Sequence, residues 1–490
     1  MKAMDKYSFW FVAGTQAMYG PQVIETVDAR AAEMAGVMDK ALPCNLIYKA
    51  TVKSESEITQ LMKDANHDDS CAGVVVWMHT FSPAKMWLTG LNLLQKPYLH
   101  LHTQYGRNIP NEGIDMDYMN LNQSAHGDRE HGFMAARLRT PRKIVVGFWQ
   151  DARVADEMGA WMRVAVAACE SRSLRVVRFG DNMRNVAVTE GDKIEAQRAF
   201  GWQVNTHAVG DLAIALDQVQ GSDIDAKMAE YQSRYAMNTE DVASVRWQAK
   251  AEVAIERFLA QEGANAFTDT IEDLHGLEQL PGLATQNLSR NGFGFGGEGD
   301  WKTAALCRVM KVMGEGLQGG TGFMEDYTYD LEPGNELSLG AHMLEVCPTF
   351  AGEQPRMEVH PLSIGGKAPP ARLVFEGKAG PAIIATMCDM GGRMRLIVHE
   401  LECVKPTLEM PNLPVARLMW KPLPDFATGT AAWILAGGGH HAVLSYEVTA
   451  AMMADWADIM GVECIHIGPK TDLEDLKRDL FLADLAWKLK

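Results

Sequence analysis

The chain has 490 residues, of which 47% are hydrophobic and 22% charged, and it carries a formal net charge of −17. This length suffices for about two to four domains, and the composition is that of a globular protein. The negative charge argues against nucleic acid and anionic membranes as partners, because both would repel the chain.

The sequence carries no pattern typical of export or membrane insertion. The apolar run from Tyr7 to Ala13 is short, follows Asp5 and lacks a small-residue cleavage site. No stretch approaches the roughly 18 apolar residues of a spanning helix. Eight cysteines lie far apart without a C-x-x-C motif, which is typical of reduced, packed thiols. We therefore expect a cytoplasmic protein.

Strands and helices alternate in the first third of the chain. The segments "YSFWFVAG", "CNLIYKA", "AGVVVWMHT", "PYLHLHT" and "KIVVGFWQ" are typical of buried strands. Helices are predicted between them, one with Pro21 near its start and one beginning at Ser54, three residues before Glu57. This alternation indicates βαβ units and a parallel sheet.

The middle third continues this alternation with "LRVVRFGD" and becomes more helical, notably from Ser244 to Glu262. After about Gly320, short extended runs are divided by Gly and Pro, as in "NELSLGAHMLEVCPTF" and "AWILAGGGHHAVLSYEV". This pattern predicts a mostly antiparallel β domain. A closing helix and strand are predicted in "ADWADIMGVECIHIG", and the domain boundaries fall near 170–180 and 320–330.

Ligands of an open α/β sheet bind beyond the carboxyl ends of its strands. The loops expected there are "AGTQAMYG", "HTFSPAKMW" and "HTQYGRNIP", and none matches a phosphate-binding motif. The segment "GFGFGGEG" superficially resembles a dinucleotide loop. However, no acidic ribose partner follows a strand about 20 residues later, so a nicotinamide dehydrogenase is disfavoured.

The second half holds the residues best suited to chemistry, most of them close to glycines. They are two carboxylates and three imidazoles: Glu298, Glu325, His342, His440 and His441. Mixed nitrogen and oxygen ligands suit a divalent ion such as Mn²⁺ or Co²⁺ better than structural zinc or calcium. The glycines on both sides of Glu298 predict a close approach of the backbone to a metal or substrate.

Each candidate also has a simpler interpretation. Glu298 could be a first-turn glutamate favoured by a helix dipole, and Glu325 could lie in an exposed acidic turn. His342, placed in a predicted strand, could be a hydrogen-bonded core residue. His440 and His441 would face opposite ways on an extended segment unless the preceding glycines turn the backbone.

Several long blocks resemble signature segments of the bacterial L-arabinose isomerase family. They are "FWFVAGTQAMYG", "LNQSAHGDREHGFMAARLR", "GFGGEGDWKTAAL", "GLQGGTGFMEDYTY", "GAHMLEVCP" and "AWILAGGGHHAVLS". The resemblance implies two open parallel-sheet α/β domains followed by a β-rich, barrel-like C-terminal domain, at residues 1–175, 176–325 and 326–490. It also implies Mn²⁺ or a similar ion such as Co²⁺, and a homohexamer with active sites between subunits.

The resemblance further implies roles for particular residues. The expected metal ligands are Glu298, Glu325, His342 and His441, with His440 facing the sugar. Residues expected to line the sugar pocket are Gln16, Phe81, Gln123 and His126, contributed by a neighbouring subunit, and the apolar Met183 and Ile364. Ile271 departs from an expected aromatic residue, and the smaller side chain could admit a six-carbon sugar.

The implied reaction converts L-arabinose to L-ribulose, with D-galactose to D-tagatose as an additional activity. Glu298 and Glu325 are expected to share the proton transfers of an enediol route, and a metal-assisted hydride shift remains the alternative. Two other readings stay open: a sugar isomerase similar to the L-fucose type, and a non-catalytic sugar-binding protein.

Overall fold

The computed structural model of the chain describes residues 3–362, 364–406 and 408–489. The chain divides into two compact units, Met1–Cys169 (the N-terminal unit) and Glu170–Lys490 (the C-terminal unit). Among the described residues, no helix is both long and apolar enough to cross a membrane. Six of the eight cysteines are buried, as expected for packed thiols.

The N-terminal unit contains a five-stranded parallel sheet in the order β2-β1-β3-β4-β5. Its strands are β1 (Ser8–Gly14), β2 (Asn45–Val52), β3 (Cys71–Met78), β4 (Tyr98–His102) and β5 (Lys143–Val146). Its helices are α1 (Pro21–Met38), α2 (Glu55–His67), α3 (Leu88–Leu93), α4 (Met116–Leu121), α5 (Ser124–Arg137) and α6 (Ala152–Ser171), whose last residues enter the C-terminal unit. The strand order reverses between β1 and β3, which is where such sheets bind ligands.

Local signals in the sequence set the starts of the first helices. Pro21 occupies the first turn of α1, where its missing N–H costs nothing. The side chain of Ser54 accepts a hydrogen bond from the backbone N–H of Glu57 and so caps α2. Both predicted helix starts are therefore confirmed.

The C-terminal unit begins with a second parallel sheet in the order β10-β9-β6-β7. Its strands are β6 (Arg175–Phe179), β7 (Gln203–His207), β9 (Ala266–Asp269) and β10 (Gly294–Gly296). The helices around it are α7 (Lys193–Phe200), α8 (Val209–Asp217), α9 (Gly221–Arg234), α10 (Val242–Glu262), α11 (Gly282–Arg290) and α12 (Trp301–Met313).

The rest of the C-terminal unit is an antiparallel barrel in the order β15-β18-β11-β12-β17-β16, closed by pairing of β15 with β16. The barrel strands are β11 (Thr321–Asp330), β12 (Leu337–Ala341), β15 (Gly380–Asp389), β16 (Met394–Val404), β17 (Arg417–Pro422) and β18 (His441–Ser445). The remaining strands are β8 (Ala236–Met237), β13 (Arg356–Val359) and β14 (Ala371–Val374), which form a small sheet, and β19 (Glu463–Ile467), which pairs with β16. The helices here are α13 (Phe426–Ala436), α14 (Ala450–Met460) and α15 (Leu473–Lys488).

The predicted fold class, two parallel α/β sheets followed by a β-rich barrel, is confirmed. The extended run predicted in "AWILA" is wrong, because these residues end α13. That helix is capped by Asp425, which accepts from the N–H of Thr428, and ended by Gly437 at φ +91°. Helix α15, which starts at the cap residue Asp472, was not predicted from the sequence.

The path of β12 toward the candidate metal ligands depends on Gly340. A Cβ atom at Gly340 would lie 1.9 Å from Cζ3 of Trp420 and 2.9 Å from Sδ of Met324. Trp420 is only 1% exposed, so its ring has little room to move.

We expect Gly340→Ala to lower the free energy of unfolding by about 1–3 kcal/mol, because the new methyl group overpacks the barrel core. Urea-induced unfolding followed by tryptophan fluorescence measures this change. The control is Gly210→Ala in α8, where a Cβ meets nothing within 4 Å and stability should rise slightly, by up to about 0.5 kcal/mol. Equal stability of Gly340→Ala and the unsubstituted chain would contradict this account of the packing.

Candidate metal centre

The register of β11 with β12 and β18 brings three of the candidate ligands close together. Glu325 lies opposite His441 of β18 on one side and opposite Ala341 of β12 on the other. His342 follows Ala341 directly, one residue beyond the end of β12 rather than within a strand as predicted. Oε1 of Glu325 lies 3.1 Å from Nε2 of His441 and 3.4 Å from Nε2 of His342.

Glu298 reaches the same place from the parallel sheet. It follows β10 and precedes Asp300, the N-cap of α12, so it lies outside the helix. Its Oε2 lies 3.5 Å from Nε2 of His441 and 3.9 Å from Nε2 of His440. Glu298 therefore faces the imidazoles across the junction between the sheet and the barrel.

Both adjacent histidines approach Glu298, which an extended backbone would not allow. His440 lies in a bend before β18 begins at His441, and the two rings are 4.4 Å apart. The side chain of His441 is fully buried, whereas that of His440 is 45% exposed. His440 is thus the imidazole of this cluster that an incoming molecule can reach.

The backbone at Glu298 is strained, with φ at +59°. This left-handed conformation is rare for a glutamate and costs of the order of 1–2 kcal/mol. The amide N–H of Met183 donates to the carbonyl oxygen of Glu298 (2.9 Å), and the N–H of Gly299 donates to that of Asp269 (2.9 Å). Neighbouring loops thus hold the peptide that points this carboxylate at the imidazoles.

The glycines around Glu298 have a different role from the expected one. A Cβ atom at Gly294 or Gly296 would lie within 2.4 Å of a carbonyl oxygen in α12 or in its cap residue. A Cβ atom at Gly299 would lie 2.5 Å from the carbonyl oxygen of Asp181. A Cβ at Gly297 would press on the ring of Phe323. The glycines therefore let backbone segments and this ring pack closely around the site.

Each buried imidazole is oriented by a second carboxylate on its other nitrogen. Nδ1 of His441 donates to Oδ2 of Asp300 (3.0 Å), and Nδ1 of His342 contacts Oε2 of Glu345. When the ring is neutral, this contact leaves the lone pair on the opposite nitrogen, Nε2, which faces Glu325 in both histidines. Carboxylate–histidine pairs of this kind fix the tautomer and direction of metal-binding imidazoles.

Two atoms at the centre of this cluster lack partners. Oε1 of Glu325 and Nε2 of His441 are both buried, and neither makes a hydrogen bond of acceptable geometry although they lie 3.1 Å apart. Buried polar atoms are normally satisfied, so an exception calls for an unseen ion or water. A cation between these atoms satisfies both, and the residues present therefore fit a divalent metal.

The electrostatics of the cluster also favour positive charge. Burial opposes protonation of His342, but the Glu345 and Glu325 carboxylates outweigh it and raise its pKa to about 9. The neighbouring carboxylates likewise raise the pKa of His441 against the effect of burial. The His440 and His441 imidazoles beside Glu298 hold the pKa of its carboxyl well below the usual range.

The four predicted metal ligands and His440, predicted to face the sugar, come together. Ligand atoms of Glu298, His440 and His441 form one group within 4.8 Å, and those of Glu298, Glu325 and His342 form another. Sequence reasoning missed three residues that hold this cluster: Asp300, Glu345 and Phe323, whose ring packs edge-on against His342 and His441. Strand alternation could have identified Phe323, which shares a face with Glu325.

The carboxyl ends of β6, β9 and β10 bring two predicted pocket residues to the same edge of the sheet. Met183 is half-buried, and its backbone N–H donates a hydrogen bond to the carbonyl oxygen of Glu298. Ile271 packs against the hydrophobic core of the parallel sheet. Ile364 is 38% exposed on a loop. Proximity to Glu298 is thus observed for Met183 alone.

The four site residues predicted in the N-terminal unit line one cavity of about 890 Å³. Gln16 follows β1 and Phe81 follows β3, so the cavity lies where the strand order reverses. The ring of His126 lies 4.9 Å from that of Phe81 and within hydrogen-bonding distance (3.0 Å) of Oε1 of Gln123. An aromatic ring, an imidazole and an amide suit a small polyhydroxylated ligand.

Comparison with known proteins agrees with this architecture. Family models of the L-arabinose isomerase N-terminal, central and C-terminal domains match residues 3–173, 175–316 and 320–463, respectively. An L-arabinose isomerase of Thermotoga petrophila is 54% identical over 490 residues, covering 99% of each chain. That of Clostridium beijerinckii is 52% identical and covers both chains completely.

These matches define the chain as an enzyme of the aldose–ketose isomerase class. The chain belongs to the L-arabinose isomerase family.

The strain at Glu298 predicts an unusual order of stability among its variants. Glycine tolerates φ near +59°, whereas alanine does not, so Glu298→Gly should be more stable than Glu298→Ala by about 1 kcal/mol. Urea unfolding of both variants in EDTA measures the difference. The same pair at Glu325, on strand β11, serves as the control, and there alanine should be the more stable. If alanine is more stable than glycine at position 298 as well as at position 325, the account of a strained backbone at Glu298 is contradicted.

Proposed function

We propose that this enzyme converts L-arabinose to L-ribulose through an enediol, in the cytoplasm, with Mn²⁺ as its natural ion and Co²⁺ as a possible substitute. The observation that carries the proposal is the pair of unsatisfied buried atoms, Oε1 of Glu325 and Nε2 of His441, at the centre of a cluster of mixed nitrogen and oxygen donors. Family membership supplies the sugar and the type of reaction.

Glu298, Glu325, His342 and His441 would hold the ion. A bound divalent cation would supply Lewis-acid stabilisation of the negative charge that develops on the sugar. Oxygen and imidazole ligands suit Mn²⁺ and Co²⁺. Asp300 and Glu345 keep the two imidazoles in the tautomer that leaves Nε2 available.

Glu298 and Glu325 would share the proton transfers between the two carbons and between the two oxygens. A carboxylate within reach of the reacting carbon takes its proton and returns it to the neighbouring carbon. The low pKa of Glu298 keeps this carboxylate ionised, which suits a ligand of a divalent cation. His440, the exposed imidazole, is placed to bond a sugar hydroxyl. Solvent tritium incorporated at C1 of the product would support the enediol over a hydride shift.

The N-terminal cavity would complete the sugar site from a neighbouring copy in a homohexamer. Gln16, Phe81, Gln123 and His126 lie together in the N-terminal unit. Both candidate metal-ligand groups found among the described residues lie in the C-terminal unit. Oligomerisation therefore gives each chain a means of combining polar sugar recognition with a metal centre.

The enzyme would also convert D-galactose to D-tagatose. This part of the proposal rests on Ile271, whose aliphatic side chain is smaller than the aromatic residue expected at that position. D-Galactose carries one CH₂OH group more than L-arabinose, and an apolar pocket discriminates such a difference by only about 1–3 kcal/mol. Met183 and Ile364 would form the remaining apolar contacts.

Metal removal tests the central part of the proposal. We expect EDTA treatment to abolish ketose formation from L-arabinose, and added Mn²⁺ to restore it, with L-ribulose identified by chromatography. Loss of a residue that only orients a metal ligand costs about 10–100-fold in metal affinity. Glu325 is a proposed ligand itself, so Glu325→Gln should weaken Mn²⁺ binding by at least about 100-fold. Isothermal titration calorimetry of the EDTA-treated protein measures the binding.

Asp330→Asn is the matched control, because it removes the same charge from the far end of the same strand. It should bind Mn²⁺ as the unsubstituted protein does. Normal turnover in metal-free protein, or unchanged Mn²⁺ affinity of Glu325→Gln, would refute the metal centre.

Sugar preference tests the assignment of Ile271. We expect Ile271→Phe to lower the ratio of kcat/KM for D-galactose to that for L-arabinose by about tenfold, because the ring fills space that the extra CH₂OH requires. Ile271→Leu keeps the volume and should leave the ratio within about twofold. A ratio unaffected by the phenylalanine would remove Ile271 from the pocket.

A further inference from the structure

A buried carboxylate in the N-terminal unit, Asp128, lies outside the proposed chemistry. It is 3% exposed and accepts three hydrogen bonds. Its Oδ1 accepts from Nε2 of His100 (2.8 Å) and from the backbone N–H of Met78 (3.2 Å), and its Oδ2 accepts from Nδ1 of His102 (2.7 Å). One side chain of α5 thus binds the end of β3 and two positions on β4.

These bonds fix the first turns of α5, which has no side-chain cap at its N-terminus. The N–H of Gln123 donates to the carbonyl oxygen of His79 (2.9 Å). A Cβ at Gly127 would lie 2.7 Å from the carbonyl oxygen of Thr80, so the helix packs directly on the segment after β3. The position of α5 is therefore set by contacts with the sheet, and the side chain of Asp128 supplies three of them.

The opposite face of the same turns carries the proposed sugar-binding groups. Asp128 is two residues after His126, and two residues are about 200° apart on a helix, so the two side chains face opposite ways. Gln123 bonds His126 through Oε1 (3.0 Å) and donates from Nε2 to the hydroxyl of Tyr19 (3.2 Å). Any shift of α5 moves these groups relative to Phe81, which extends from the end of β3.

We propose that Asp128 is a positioning residue, which with His100 and His102 sets the placement of Gln123 and His126 in the N-terminal cavity. This inference rests on the proposed role of that cavity in sugar binding. Asp128 touches no substrate and acts through the helix alone. Its loss should therefore weaken sugar binding and leave the metal centre unchanged.

The test compares two substitutions at this position in the Mn²⁺-loaded enzyme with L-arabinose as substrate. Asp128→Ala removes all three acceptors and should raise KM about tenfold with kcat within about threefold, since small misplacements of binding groups cost that much. Asp128→Asn should restore most of the KM. Its oxygen still accepts from Met78 and His100, and its NH₂ group donates to His102 in the other tautomer. Mn²⁺ affinity by calorimetry should not change in either variant.

Tyr98→Phe is the matched control for a purely structural effect. Tyr98 contacts His131, which lies one turn further along α5, so this variant loosens the same helix without touching Asp128. It should lower the melting temperature and leave KM unchanged. If Tyr98→Phe raises KM as much as Asp128→Ala does, helix stability rather than positioning is responsible and the inference fails.

The variant His126→Ala separates this inference from the proposed function. If His126→Ala raises KM and Asp128→Ala does not, the cavity binds sugar but Asp128 does not position it. If His126→Ala leaves KM unchanged, the role of the cavity itself is wrong. Should Asp128→Ala fail to fold, His102→Ala, which removes one of the three donors, should still raise KM about threefold, and an unchanged value overturns the inference.

Discussion

The candidate metal centre depends on the burial of Glu325 between two imidazoles, each of which contacts another carboxylate through its Nδ1 atom. Oε1 of Glu325 faces Nε2 of His342 and Nε2 of His441, and Asp300 and Glu345 prevent either ring from turning away. Burying negative charge against acceptors is costly unless a cation joins them. The need for positive charge beside Glu325 thus follows from the strand register, which places this carboxylate opposite His441.

Two different architectures have to meet for this cluster to form. The barrel supplies Glu325 and His441 as directly opposed residues on neighbouring strands. Glu298 comes from the carboxyl edge of the parallel sheet, and its strained backbone turns the side chain toward the barrel. Asp300 connects the two parts, because it caps α12 through the N–H groups of Lys302 and Thr303 while bonding His441. One residue therefore serves helix formation and ligand orientation together.

The sequence predicted the parts of this structure that follow from local patterns. Strands β1 and β3 are buried at every residue, so they appear as unbroken apolar runs, and the fold class followed from them. Helix α13 was misread in part because its apolar residues "AWILA" resemble a strand when read without the cap residue Asp425. Carboxylates and histidines close to glycines identified the candidate ligands, and the structure brings these residues together.

The partners of these ligands were not predictable in the same way. Asp300 looks like an ordinary helix cap and Glu345 like an ordinary acidic residue, and only the register of β11 with β12 and β18 gives them histidines to orient. The resemblance to known isomerases named the ligands but not the groups that hold them.

Both units contain side chains that take no part in the proposed chemistry but orient groups that would. The N-terminal unit offers an aromatic ring, amides and, on a helix held by Asp128, an imidazole. The C-terminal unit offers the candidate ligands of a cation. Sugar hydroxyls bind weakly to single polar groups because water competes for each of them, so recognition requires several groups at fixed separations. Asp300 meets this requirement by orienting the imidazole of His441. Asp128 meets it by holding α5, which carries His126. Rigid placement of a few polar groups is thus the property on which both units depend.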